Sequence, residues 1–174
     1  YELAALCEIN EKEKVLQFVR DYWGGMLKLG ATTIWEAYDP SQKGDEHYAM
    51  YGRPFGKSLC HAWGANPVYL FGKYLLGVKP LTPGYKTYLV EPSLAGLKWI
   101  KGKVPTPHGN IEVYADKKIM KIQGVEGSGI LRLHSKKQPV TEKGIEVKKL
   151  GDNYYEIVLN KPSKEYIVNY QGTE

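Results

Sequence analysis

The chain is poor in the residues that most quickly betray a chemistry. It has two cysteines in 174 residues, Cys7 and Cys60. They give no disulfide framework and no C-x-x-C pair, and the apolar or helical setting of each reads as two buried free thiols. The four histidines, His47, His61, His108 and His134, form neither an H-x-x-x-H nor an H-E-x-x-H pattern. Cys60 and His61 are adjacent, and neighbours on a helix diverge by about 100°. No metal and no other cofactor is therefore implied. There is no run of 18 apolar residues, hence no transmembrane helix and no membrane partner. A signal-peptide pattern is also missing, and the first residues, Tyr1-Glu2-Leu3, open in mid-pattern without a methionine, as in a piece of a longer chain. Gly127-Ser128-Gly129 lacks the strand–helix context and the Lys-Ser/Thr partner of a phosphate cradle, and reads as a hairpin turn. Ser58 and His61 are three apart but have no third member and no nucleophile elbow, so Ser58 reads as a helix cap.

What the chain does have is aromatic surface and an uneven charge. It carries 14 tyrosines and 4 tryptophans, in a composition (43% hydrophobic, 25% charged) typical of a folded protein. Rings with polar tips suit sugar or peptide recognition, and equally suit the faces of β-sheets. The net charge is +5. Residues 1–78 hold eight Lys/Arg against nine Asp/Glu, whereas residues 79–174 hold sixteen against ten. The lysines of the basic half fall in pairs, Lys117-Lys118, Lys136-Lys137 and Lys148-Lys149. Pairs of that kind keep strand edges and hairpin tips soluble, so no nucleic-acid partner is implied.

The periodicity changes near residue 78. Leu3, Leu6 and Cys7 look like the end of one helix, and Asn10, followed by Glu11 and Glu13, is placed to cap the next. Val15, Phe18, Val19, Tyr22 and Met26 then follow helical spacing, broadened by Leu16, Trp23 and Leu27. Gly24-Gly25 weakens the last turns, and Gly30 is the expected stop. A long irregular stretch over 32–57 follows, and irregular stretches of that length tend to be functional. A third helical region is expected over 58–76, with Asn66-Pro67 as an internal start and Gly77 as its stop. After Lys79-Pro80 the period is two. Strands are expected over 87–91, 97–104, 110–115, 118–125, 129–134, 145–149, 154–159 and 165–170, in an antiparallel sandwich. The fold class is thus α + β, with helices over 1–78 and a complete β-domain over 79–174. Three helices with apolar faces all round cannot close a core alone, which calls for the remainder of a larger helical domain as their partner.

Carboxylates are the groups best placed for chemistry. Glu36 stands in the stretch GATTIWEAYD, beside Trp35 and after Thr32-Thr33. A carboxylate beside an indole is partly desolvated, which raises its pKa, and threonine hydroxyls or a histidine can hold its orientation. That is the equipment of a general base that activates water. Capping or ion pairing is the other reading of Glu36, and Asp39, Asp45 and Glu46 are rivals in the same region. His61, among Cys60, Ala62 and Trp63, is either a satisfied core histidine or a ligand for a sugar hydroxyl, with Trp63 or Trp35 as the stacking platform.

Three longer strings carry a resemblance: WGGMLKLGATTIWE at 23–36, SLCHAWGANPVYLFGKYLLG at 58–77, and VKPLTPGYKTYLVEPSLAGLKWIKGKVPTPHGNIEV at 78–113. Their order and spacing resemble those of bacterial α-L-rhamnosidases, glycoside hydrolase family 78. The resemblance implies an (α/α)6 toroid, of which residues 1–78 are the last helices, followed by a C-terminal β-sandwich. It implies removal of terminal α-L-rhamnose from a rhamnose-containing glycoside with inversion. On the matching motif positions it places the general base on Glu36, sugar binding on His61, and cleft-lining roles on Trp35 and Trp63. The general acid belongs to an earlier part of such enzymes, so the chain alone is expected to be inactive. Two alternatives stand beside this one. The region could be a non-catalytic carbohydrate-binding or structural module, or part of another (α/α)6 glycosidase such as an α-L-fucosidase.

Overall fold

The helical period of the first thirty residues produces α1 (Glu2–Glu8) and α2 (Lys12–Lys28), which pack on each other. The computed structural model describes residues 1–173. Asn10 does not cap α2; it closes α1. Its φ is +64°, in the left-handed region that Asn tolerates better than most residues. There its N–H reaches the Cys7 carbonyl at 3.1 Å, and the Glu11 N–H reaches Leu6 at 2.8 Å. This pair of bonds satisfies the last carbonyls of α1. Gly30 does the same for α2, at φ +87°, with Gly30 N–H to Leu27 at 3.0 Å and Ala31 N–H to Met26 at 3.1 Å.

The chain divides into two compact units, Tyr1–Leu70 and Phe71–Glu174. In the first, Val15, Leu16, Trp23, Gly25 and Met26 are the buried residues of α2, while Phe18 and Leu27 of the expected stripe are exposed. Trp23, Met26 and Trp35 form a core, flanked by Leu3, Val19, Tyr22, Ile34, Tyr38 and Tyr48. The stretch 32–57 is irregular, broken by a 3-10 turn at Gly44–Tyr48 and an isolated bridge between Met50 and Arg53. Residues 58–61 are not helical, contrary to their pattern. Their backbone pairs with 34–36 instead, through Glu36 N–H to Ser58 at 2.9 Å and His61 N–H to Ile34 at 2.8 Å. Ser58 therefore caps no helix. A 3-10 turn at Ala62–Gly64 leads to α3 (Asn66–Leu70).

The second unit opens with a π turn at Phe71–Leu75, closed by Leu76 N–H to Phe71 at 2.8 Å. Gly77 ends it at φ +71°, and a Cβ there would lie 1.9 Å from the Glu91 carbonyl oxygen, so only glycine fits. Nine strands follow among the described residues: β1 (Val78–Pro80), β2 (Thr87–Val90), β3 (Trp99–Thr106), β4 (Gly109–Asp116), β5 (Ile119–Gln123), β6 (Ser128–His134), β7 (Val147–Gly151), β8 (Tyr154–Leu159) and β9 (Glu165–Asn169). They form a sheet of order β1-β2-β6-β8-β7 and a second of order β3-β4-β5-β9. Alternate residues from both sheets, among them Val90, Ile111, Ile122, Leu131, Ile157 and Val168, meet in one core. Period-two alternation is clearest in β4, β5, β6 and β8, whose alternate residues enter the core, whereas β2 is covered on both faces and the edge strand β7 is largely exposed.

Two expectations about this unit need correction. The sandwich is not wholly antiparallel, because β2 and β6 pair in parallel, with Thr87 opposite Ser128 and Val90 opposite Leu131. Gly127-Ser128-Gly129 is not a hairpin turn either, because β5 and β6 lie in different sheets and the chain crosses over between them. The lysine pairs fall where solubility needs them: Lys117-Lys118 in the β4–β5 turn, Lys148-Lys149 on the edge strand β7, exposed.

Candidate functional site

The paired segments 34–36 and 58–61 of the first unit bring Glu36 and His61 together. Thr33 strengthens the pairing through its hydroxyl, which donates to the Leu59 carbonyl. That threonine therefore fixes the backbone and does not touch the carboxylate. The donors on Glu36 are others: the Tyr51 hydroxyl donates to Oε1, and the Ser58 N–H donates to Oε2 at 3.1 Å. The Glu36 side chain is 5% exposed, and His61 Nδ1 lies 3.9 Å from its Oε2, beyond hydrogen-bond reach but close enough for its charge to be felt.

These contacts reverse the expected pKa shift. The Tyr51 hydroxyl and the Ser58 N–H hold the Glu36 carboxyl below its ordinary value; burial pushes the other way and is outweighed, and His61 and Lys57 add to the lowering. Lys57 is itself buried, which pulls its pKa down against the attraction of Asp39 and Glu36. Its Nζ donates to Gln42 Oε1 at 3.3 Å.

The rival carboxylates are occupied elsewhere or lie in water. Asp39 accepts the Ser41 hydroxyl at 2.7 Å and the Ser41 N–H at 2.8 Å, a local turn that also lowers its pKa. Glu46 accepts the Lys43 N–H at 2.8 Å and caps the 3-10 turn, and Asp45 is exposed. The two tryptophans part company. Trp63 is 65% exposed, with its ring 4.2 Å from that of His61 at an interplanar angle of 45°. Trp35 is 4% exposed and belongs to the core, edge-on to Tyr48 at 5.7 Å, so it does not face the solvent beside Trp63. Of the thiols, Cys7 is buried but Cys60 is exposed, on the non-helical segment 58–61 that hydrogen-bonds to 34–36.

Tyr51 and Lys57 are the members that the sequence did not bring out. Their positions in the long irregular stretch are a weak signal, and only the fold carries them to Glu36. Together these groups give an ionised carboxylate with fixed orientation, an imidazole and an exposed indole. Such a set can take a proton from water, bind a hydroxyl and offer an apolar face for stacking.

Comparison with known proteins agrees with the resemblance in the strings. Residues 77–122 match the family model described as the bacterial α-L-rhamnosidase C-terminal domain. A 93-residue stretch is 36% identical to an α-L-rhamnosidase of Alteromonas sp. (strain LOR), covering 52% of this chain and 10% of that protein. Among solved structures, the α-L-rhamnosidase of Streptomyces avermitilis, complexed with L-rhamnose, superposes with a TM-score of 0.65 at 15% identity, over 86% of this chain and 15% of that one. The α-L-rhamnosidase of Dictyoglumus thermophilum gives 0.62 at 22% identity, over 85% and 17%. At these identities the likeness to both is one of fold. The family 78 rhamnosidase of Bacillus sp. GL1 gives 0.52 at 30% identity, over 69% and 12%. The chain spans less than a fifth of the length of each of these relatives. Residues 77–122 are thus similar to the C-terminal domain of bacterial α-L-rhamnosidases, and the chain, three helices followed by two sheets, matches part of the solved rhamnosidase structures, that of glycoside hydrolase family 78 from Bacillus sp. GL1 among them.

Proposed function

We propose that this chain is part of a glycoside hydrolase that removes terminal α-L-rhamnose from glycosides with inversion, and that Glu36 is its general base. Residues 1–78 are then the last helices of an (α/α)6 catalytic toroid, and residues 79–174 its C-terminal β-sandwich. The observation that carries the reading is the Glu36 carboxylate, buried yet kept ionised by Tyr51 and Ser58, next to His61 and the exposed Trp63. An inverting displacement uses two carboxyls about 6.5–9.5 Å apart, one on each face of the sugar ring. Glu36 takes the proton of a water as its oxygen attacks the anomeric carbon. The bond to the leaving oxygen breaks on the opposite face, where an acid from the remainder of the catalytic domain protonates it. His61 hydrogen-bonds a rhamnose hydroxyl, and Trp63 stacks on the apolar face of the ring. Trp35 acts through the core, anchoring the segment that carries Glu36.

The test is Glu36→Gln in the full-length enzyme, assayed on an aryl α-L-rhamnoside. The substitution keeps the volume and removes the basicity, so kcat falls by about 10²-fold or more. Turnover near that of the wild type would contradict the assignment.

A further inference from the structure

The Glu36 side chain is largely covered, and its carboxylate is anchored by a residue from the far side of the irregular stretch. Tyr51 lies just beyond the 3-10 turn and has a φ of +54°, in the left-handed region where a bulky residue is seldom found. The following Gly52 is also left-handed, at +73°, and the Met50–Arg53 bridge closes a tight turn around the two. This turn presents the phenol to Glu36 Oε1 while leaving most of the Tyr51 side chain in water. A tyrosine with so little buried surface is not there for packing.

We infer that Tyr51 is a positioning residue for Glu36: presented by its tight turn, its hydroxyl fixes Oε1 and so the orientation of the carboxylate. The inference rests on the reading of Glu36 as a general base. With the Ser58 N–H on Oε2, the two donors hold the carboxylate plane and leave a lone pair on Oε1 for the water. The titratable groups that act on the carboxylate besides Tyr51 are His61 and Lys57. The Ser58 N–H is backbone and survives any side-chain change, so among the described residues Tyr51 is the donor to Glu36 that substitution can remove.

The experiment is the pH profile of kcat/KM on an aryl α-L-rhamnoside, measured on the full-length enzyme as wild type, Tyr51→Phe and Glu36→Gln. Losing a donor to a charged group weakens the ionised form, so the acidic limb of Tyr51→Phe moves to higher pH. At a pH on the wild-type limb, kcat/KM falls about tenfold, and the loss shrinks towards neutral pH. Replacing Tyr51 by a fluorotyrosine, a stronger donor of the same shape, moves the limb the other way and needs no loss of packing. An acidic limb unchanged in both variants, with Glu36→Gln inactive, would overturn the role of Tyr51 and leave the base assignment standing. An active Glu36→Gln would overturn both.

Discussion

Glu36 and Asp39 lie three residues apart in one irregular stretch, and their donors give them different work. Asp39 folds back on Ser41, whereas Glu36 takes its donors from residues 15 and 22 positions away. That distance explains where the sequence misled. An indole at position 35 promised a desolvated carboxyl of raised pKa, but neither the Tyr51 hydroxyl nor the Ser58 N–H could be foreseen as partners. Asp116 shows the same physics in the second unit. Burial pushes its pKa up, but the Lys118 N–H, the Tyr114 hydroxyl and the Ile119 N–H, each at 2.8 Å, outweigh it and bring it below the ordinary value. Asp116→Ala should destabilise the chain by about 1–3 kcal/mol at neutral pH, measured by urea unfolding. A lowered folded-state pKa stabilises fully above the unfolded value of about 3.9, and that contribution is lost as pH falls through the folded value. The gap between wild type and variant should therefore narrow below about pH 4; a gap that persists into strong acid would contradict the account.

The helix α2 carries two neighbouring glycines that behave as opposites. A Cβ on Gly24 would meet nothing within 4 Å, whereas one on Gly25 would lie 2.4 Å from the Tyr38 ring. Tyr38 cannot easily give way, being edge-on to Tyr22 and stacked on His47. Gly24→Ala should stabilise by about 0.5–1 kcal/mol through helix propensity. Gly25→Ala should destabilise by about 1–3 kcal/mol through overpacking. Equal effects in denaturant unfolding would refute the packing of Tyr38 on α2. Elements of this kind were largely legible. The stop at Gly30 and all eight expected strands are present, to within a few residues at their ends. The misses have local causes. Asn10 suits both the start of one helix and the end of another, and residues 58–61 are drawn out of a helical pattern by pairing with 34–36. The short β1 has too few residues to show an alternation.

At the scale of the molecule, the change of period near residue 78 separated helices from sheets, and the partition of charge follows the same line. The parallel pairing of β2 with β6 was not legible, because alternation names the buried face of a strand and not its neighbour or direction. The exposed Phe18, Leu27, Phe55 and Val68 of the first unit are apolar surface that, in the proposed enzyme, the remainder of the catalytic domain covers. The proposed base is the Glu36 carboxylate of that unit. Its most direct test is azide rescue of Glu36→Ala in the full-length enzyme, with the product's anomeric configuration read by NMR. If Glu36 activates water on one face of the sugar, azide, which needs no base, attacks that face. Turnover is then restored, and β-L-rhamnosyl azide is released from an α-L-rhamnoside. Absence of rescue in a folded variant, or release of the α-azide, would contradict it.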